Sequence, residues 1–243
     1  HLSIRRQRQM CIRDRYNILK YILPIYIIYY GIFYTYRRDI LTNKKLKKVT
    51  LTSILTAMLA SSFTISNAES YKVFIDAGHG GKDNGSSHNG YLEDVLNLQI
   101  AQKLKNKLIN EGFEVEMSRN NDTYLSLSDR TIKSNNSDAN IFISIHQNAA
   151  STTSANGIET YYLGDKNKKL ANAIHKSIIN STNANDRNVR EANFQVLRDN
   201  KKTSILLECG FISNPSEAYK LNTAEYQNKL VDGIVLGLSL IHI

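Results

Sequence analysis

Three apolar runs in this chain each stop at a residue able to hold a metal or a proton, and this limits the fold more than any other feature. Val73-Phe74-Ile75 leads into Asp76-Ala77-Gly78-His79-Gly80-Gly81, residues 139–145 stop at His146, and residues 203–207 stop at Glu208. Short runs of β-branched, aromatic and aliphatic residues favour buried strands. The run before His146 is apolar nearly throughout, as expected of a strand covered on both faces. The glycines after the first run let the backbone bend tightly around one histidine. Parallel strands place their carboxyl ends along one edge of a sheet, so side chains from separate strands can converge there.

Helical segments separate these strands. After a first strand at 71–76 and a loop to about residue 92, the segment 93–111 is predicted to be an amphipathic helix. Leu98, Ala101, Leu104 or Lys105, and Leu108 form its apolar stripe, and Gly112 lies where a helix ends. The pattern then predicts a strand at 113–117, a turn at 120–122, a short helix at 127–134, a strand at 157–163 and a helix at 168–179. A short strand at 194–197, a helix opened by Asn214-Pro215 and a last helix at 225–236 complete the chain. The expected fold is a single α/β domain over residues 69–238, with a mainly parallel twisted sheet of about six strands and helices on both faces.

The net charge of +9 belongs to the N-terminal quarter. Residues 1–48 hold twelve Lys/Arg against two Asp/Glu, whereas from Glu69 onward there are nineteen against twenty. A near-neutral domain excludes non-specific binding to a phosphate backbone, so no nucleic-acid partner is expected. Residues 41–68 have the parts of a secretory signal: the basic Lys44-Lys45-Leu46-Lys47-Lys48, an uncharged apolar core, and Ser66-Asn67-Ala68 before a cleavage point. Its core is short and rich in Ser and Thr for a full span of about 20 apolar residues, so no stable membrane anchor is expected after cleavage. The apolar segment 16–36 could be a span, but a span directly ahead of a signal peptide has no evident role. Residues 1–40 are therefore expected to be translated non-coding sequence, with the true start near Leu41 and 239–243 a read-through tail. Cys11 lies in the leader, which leaves Cys209 alone in the mature chain with no intrachain disulfide to form.

His79, His146 and Glu208 end three strands, and Glu93 begins the helix that follows the first. Two imidazoles, one carboxylate and an open position suit catalytic zinc, with the remaining glutamate free as a general base. Each residue also has a plainer role open to it. Glu93 could be a helix-start acid favoured by the macrodipole. His146 could be satisfied by a backbone carbonyl, and Glu208 could pair with an arginine. Asp76 is read as a turn-shaping support, and His88 and His175 as structural.

At these motifs the resemblance becomes specific. Residues 71–238 resemble the zinc-dependent N-acetylmuramoyl-L-alanine amidases of the family-3 type, which are bacterial cell-wall hydrolases. The motif Asp76-Ala77-Gly78-His79-Gly80-Gly81 is similar to the family's opening zinc-histidine motif. Gly90-Tyr91-Leu92-Glu93, with Asn97-Leu98, resembles the segment that supplies the glutamate ligand. Ser118-Arg119 with Asp122, and Leu127 with Arg130, follow the family's pattern after the second strand. Phe142-Ile143-Ser144-Ile145-His146-Gln147-Asn148-Ala149 and Leu206-Leu207-Glu208-Cys209-Gly210-Phe211-Ile212-Ser213-Asn214 resemble the second zinc-histidine motif and the catalytic-glutamate motif. Thr203, Cys209 and Asn188 depart from it, Thr203 standing where proline is usual and Asn188 where glycine is usual.

The resemblance implies hydrolysis of the amide joining N-acetylmuramic acid to L-alanine in peptidoglycan, by a secreted monomer in the cell wall or periplasm of a bacterium. Zn²⁺ would be held by His79, Glu93 and His146, with Glu208 as general base and Asn148 at the rim as a substrate contact. The stretch 147–156 is too short for the helical insertion that blocks the zinc in some relatives, which implies an open site. Two competing readings are a zinc peptidase acting on the stem peptide and a non-catalytic wall-binding protein on the same scaffold.

Overall fold

The computed structural model describes residues 71–241. The expectations for the leader at 1–40, the signal segment at 41–68 and the end of the tail lie outside the described residues.

The chain runs β1 (Lys72–Ala77), β2 (Ser87–His88), β3 (Tyr91–Leu92), α1 (Glu93–Asn110), β4 (Glu114–Met117), α2 (Leu127–Asn136) and β5 (Ile141–Asn148). It continues through β6 (Ile158–Tyr162), α3 (Asp165–Thr182), β7 (Asp186–Glu191), α4 (Gln195–Arg198), β8 (Thr203–Phe211), α5 (Pro215–Leu221) and α6 (Ala224–Ser239). Six strands form one sheet in the order β4-β1-β5-β8-β6-β7, and β2 and β3 form a separate small hairpin. Every pairing in the large sheet is parallel except β6 with β8. The mainly parallel six-stranded sheet read from the sequence is the one observed.

Side chains alternate across a strand, and this alternation sorts the core into two layers. Val73, Ile75, Ile141, Ile143, Ile145, Ile205, Leu207 and Cys209 face one way, against the apolar stripes of α1, α3, α5 and α6. Phe74, Phe142 and Leu206 face the other way and pack with Ala139 and with Val196 and Leu197 of the short α4, Tyr161 and Leu163 lying against them. Each fully buried Leu, Ile or Phe contributes about 1.5–3 kcal/mol, so the first layer dominates stability. There α3 and α6 approach to backbone contact, since a Cβ at Gly237 would fall 2.5 Å from the Cα of Ile174. The second face is thinly covered, and its open end is where the polar residues of the strands emerge.

Several local expectations are corrected. Residues 195–198 form a helical turn rather than a strand at 194–197, because one turn lets Val196 and Leu197 both reach the small core. The edge strand β7 has no apolar run to announce it; its sequence, DRNVRE, pairs only with β6. The buried stripe of α1 is Leu96, Ile100, Ala101, Leu104 and Leu108, with Leu98 only partly covered, because the first turn also buries Glu93 and Asn97. β5 and β8 run on past His146 and Glu208, so both side chains project from within a strand. The start of α5 follows the sequence, with Pro215 in its first turn and the Asn214 side chain accepting from the N–H groups of Ser216 and Glu217.

Candidate active site

The site begins with the turn after β1. His79 has φ +58°, a left-handed conformation uncommon outside glycine. Two buried arginines hold that turn by its carbonyl groups. Arg119 donates from Nε to the Ala77 carbonyl at 2.9 Å and from Nη2 to the Gly78 carbonyl at 3.0 Å. Arg130 donates from Nη2 to the His79 carbonyl at 2.8 Å and from Nη1 to the Ala77 carbonyl at 2.7 Å. Asp76 completes the arrangement. It is fully buried in the strand, accepts from Arg130 Nη1 at 2.8 Å and from Ser144 Oγ at 2.8 Å. Burial works against its charge, but the guanidinium beside it outweighs that cost and holds the carboxyl below its ordinary range. Asp76 thus supports the turn from beneath, as the ion-pair partner of the Arg130 that holds its carbonyls, and it is not among the clustered ligand candidates.

His79, Glu93 and His146 come together at this edge. One ligand atom from each lies within 4.8 Å of the others. His146 Nδ1 is 2.9 Å from Glu93 Oε1, and His79 Nε2 is 3.3 Å from the same oxygen. The second nitrogen of His79, Nδ1, meets Asp83 at 2.9 Å, a contact that fixes the ring's orientation and turns Nε2 inward. Glu93 is held by the N–H groups of Gln147 on Oε1 at 3.1 Å and Ser86 on Oε2 at 2.9 Å. Gly78 admits the His146 ring, because a Cβ there would overlap it. Burial disfavours the charge of Glu93, yet hydrogen bonds and charge from His146 and His79 hold its carboxyl far below the usual range. Burial likewise disfavours the His79 imidazolium, but Glu93 and then Asp83 raise it to about 9. The cluster is built to attract a cation. Two imidazole nitrogens and a carboxylate, with His79 oriented by Asp83 and Glu93 by two backbone N–H groups, fit a divalent metal with a preference for nitrogen and oxygen donors.

Glu208 stands beside this cluster on the neighbouring strand, its Cα paired with that of His146. Its Oε2 is one of five buried side-chain polar atoms without a hydrogen-bond partner among the described residues. Burial pushes its carboxyl up to about 7; the cationic form of His146 opposes that rise, and Glu93 and Glu159 add to it. The arginine partner considered for it is absent among the described residues. Arg187 and Arg190 of β7 serve Glu159 instead, which faces Glu208 across the antiparallel β6–β8 ladder.

Residues 73–239 match the profile of the N-acetylmuramoyl-L-alanine amidase family. The chain belongs to that family. It is similar to the sporulation-specific N-acetylmuramoyl-L-alanine amidase of Bacillus subtilis strain 168, at 41% identity over 172 residues, 69% of this chain and 66% of that protein. It is similar to the uncharacterized protein YqiI of the same organism, at 40% identity over 174 residues, 70% of this chain and 84% of that protein. The solved N-acetylmuramoyl-L-alanine amidase of Clostridium difficile 630 superposes with a TM-score of 0.69 and 44% identity, over 71% of this chain and 96% of that structure. The domain is accordingly that of an N-acetylmuramoyl-L-alanine amidase, a hydrolase acting on peptidoglycan. The family favours this reading over the stem-peptide peptidase and over a non-catalytic wall-binding protein.

The other residues singled out in the sequence fall outside the cluster. Asn148 is half-buried and both ends of its amide are engaged, Nδ2 donating to Glu159 at 2.8 Å and Oδ1 accepting from the Ala149 N–H at 2.8 Å. His175 is buried between Thr160 and Asp186, and His88 is exposed on β2. The Cys209 thiol is buried in the larger core, where desolvation pushes its ionisation well above the ordinary range. Asn188, in the family's glycine position, has φ +72°, a conformation asparagine tolerates better than most residues. Sequence reasoning missed Asp83 and Glu159 and assigned Arg119 and Arg130 no task. A buried Asp76 needing a counter-ion was the one signal that pointed to an arginine.

Proposed function

We propose that the chain hydrolyses the N-acetylmuramoyl-L-alanine bond as a zinc enzyme, with His79, Glu93 and His146 as the metal ligands and Glu208 as the general base. When bound, zinc supplies Lewis acidity toward the amide carbonyl oxygen and makes a water acidic enough to react near neutral pH. His79 would offer Nε2 and His146 a ring nitrogen to the metal, and the backbone contacts to Glu93 keep its carboxylate turned toward them. Glu208 takes the proton from the attacking water at a carboxylate oxygen. It then gives that proton to the alanine nitrogen as the carbon–nitrogen bond breaks, leaving a muramic acid carboxylate and a peptide amine. The single observation that carries this reading is the unpartnered, buried Glu208 carboxylate one strand from His146. A base held near 7 without a fixed partner is suited to receive and return a proton near neutral pH.

This reading includes export through the 41–68 signal and action as a monomer on the cell wall. The connection from β5 to β6 contains no helix, in keeping with an open site. The reading is tested by digesting purified peptidoglycan with and without a chelator and weighing the products. Release of intact stem peptides with free alanine amino groups, abolished by the chelator, is expected. Cuts within the peptide, or cleavage indifferent to the chelator, would overturn it.

A further inference from the structure

The proposed chemistry uses His79, Glu93, His146 and Glu208, but the row of polar side chains does not stop there. His146 on β5 pairs with Glu208 on β8, and Glu208 pairs with Glu159 on β6. Cross-strand partners point to the same face, so the three carry one line outward from the metal cluster. On β7 the line ends in arginine. Glu159 is buried and saturated: Arg187 Nε reaches Oε1 at 2.8 Å, while Asn148 Nδ2 and Tyr161 OH reach Oε2 at 2.8 and 2.7 Å. Arg190 Nη2 stands 3.7 Å from Oε1.

This arrangement holds Arg187 in one pose. Its Nε is anchored on a buried carboxylate, and its guanidinium lies over the Phe211 ring at 4.7 Å from the centroid. Its two Nη groups make no hydrogen bond among the described residues, and its side chain keeps 31% of its exposure. Two arginines around one carboxylate leave a net positive charge. A guanidinium whose plane is locked and whose outer edge faces water is preorganised for a second carboxylate.

Distance selects which carboxylate. Strands in a sheet lie about 4.8 Å apart, so β7 lies roughly 10 Å across the sheet from β8 and its Glu208. An extended peptide covers about 3.3–3.6 Å per residue, so about three residues span that gap. We propose that Arg187, held by Glu159 and supported by Arg190, binds a free carboxylate of the substrate's peptide two to three residues beyond the scissile amide. Arg187 is then a determinant of substrate choice, and Glu159 and Asn148 are positioning residues that act through it. This inference rests on the amidase reading above.

The test compares N-acetylmuramoyl tripeptides that differ only in whether their free carboxylates are intact or amidated. The metal-loaded full chain should cleave the acid form with a kcat/KM roughly tenfold higher, mainly through KM, as a charge-assisted hydrogen bond would produce. Arg187→Gln should bring the ratio of the two substrates close to one, and Arg187→Lys should retain part of it. A purely structural role for Arg187 would lower both rates and leave their ratio intact, which would sink the inference. Equal cleavage of both forms by the unmodified protein would also overturn it, while leaving the amidase reading standing. Cleavage of neither form would remove that reading and the inference with it. Calorimetric binding of the acid and amide tripeptides to the unmodified protein repeats the comparison without any variant, and equal affinities would count against the proposal.

Discussion

Asp76 and Glu208 are buried carboxylates on one face of the same sheet, and their surroundings send them in opposite directions. Asp76 meets Arg130 and Ser144, and its pKa falls. Glu208 has an oxygen with no partner, and its pKa rises to about 7 as burial disfavours its charge. Burial alone raises both; a guanidinium in contact reverses the sign for one of them. The first region is a scaffold that holds the His79 turn in an uncommon backbone conformation. The second is left unsatisfied where the proposed mechanism moves a proton. On that reading the protein stabilises the part that positions and leaves uncompensated the part that would react.

The comparison breaks most sharply if Glu208 proves replaceable. Glu208→Gln preserves shape and the proposed ligands His79, Glu93 and His146 while removing the proposed base, and general-base catalysis is worth about 10²–10⁴ in rate. Turnover should fall by about 10³ while metal content by atomic absorption stays at the unmodified level. Near-normal turnover would move Glu208 into the scaffold category.

Arg130→Met attacks the other region. It strands Asp76 without its counter-ion and takes a donor from three backbone carbonyls, those of Ala77, His79 and Leu125, so unfolding in denaturant should show a loss of about 3–5 kcal/mol. A change under 1 kcal/mol would mean that the pair contributes little to holding the turn.

The pH dependence of stability, measured on chelator-treated protein, sharpens the contrast because the two groups have opposite signs. The Asp76 carboxyl is lowered from 3.8, so its contribution is present above that value and is lost as pH falls below it. Glu208 is raised from 4.5 to about 7, so its contribution is full below 4.5 and is lost as pH rises through 7. Asp76→Asn should flatten the acid limb of the stability curve, and Glu208→Gln should flatten the limb between those two values. Identical pH profiles for the two variants would remove the distinction.

The smallest effect belongs to Cys209, the neighbour of Glu208 on the opposite face of β8. Cys209→Ala should leave amidase activity unchanged and cost roughly 1 kcal/mol in thermal or denaturant unfolding, because the side chain only fills core space. Loss of turnover in this variant would reopen a chemical role for the thiol.

The amino-acid order alone determined which apolar runs lead to His79, His146 and Glu208, that a helix begins at Glu93, and that the sheet is mainly parallel; that β5 and β8 continue past His146 and Glu208 came only from the structure. Apolar runs, glycines and the Asn214-Pro215 start are local signals, and local physics writes them directly into the chain. The polar edge strand β7 and the helical turn at Gln195–Arg198 were not legible, because each takes its conformation from a neighbour: β7 from pairing with β6, and the turn from the small core beneath it. The same holds within the site. Four candidate residues were readable from motifs, whereas the arginines under His79, the role of Asp83 and the Glu159–Arg187 clamp depend on contacts between residues far apart in sequence or across a bend in the chain. Whether a buried carboxylate becomes a scaffold or a base is decided by its nearest partner in space, and only the tertiary structure supplies that partner.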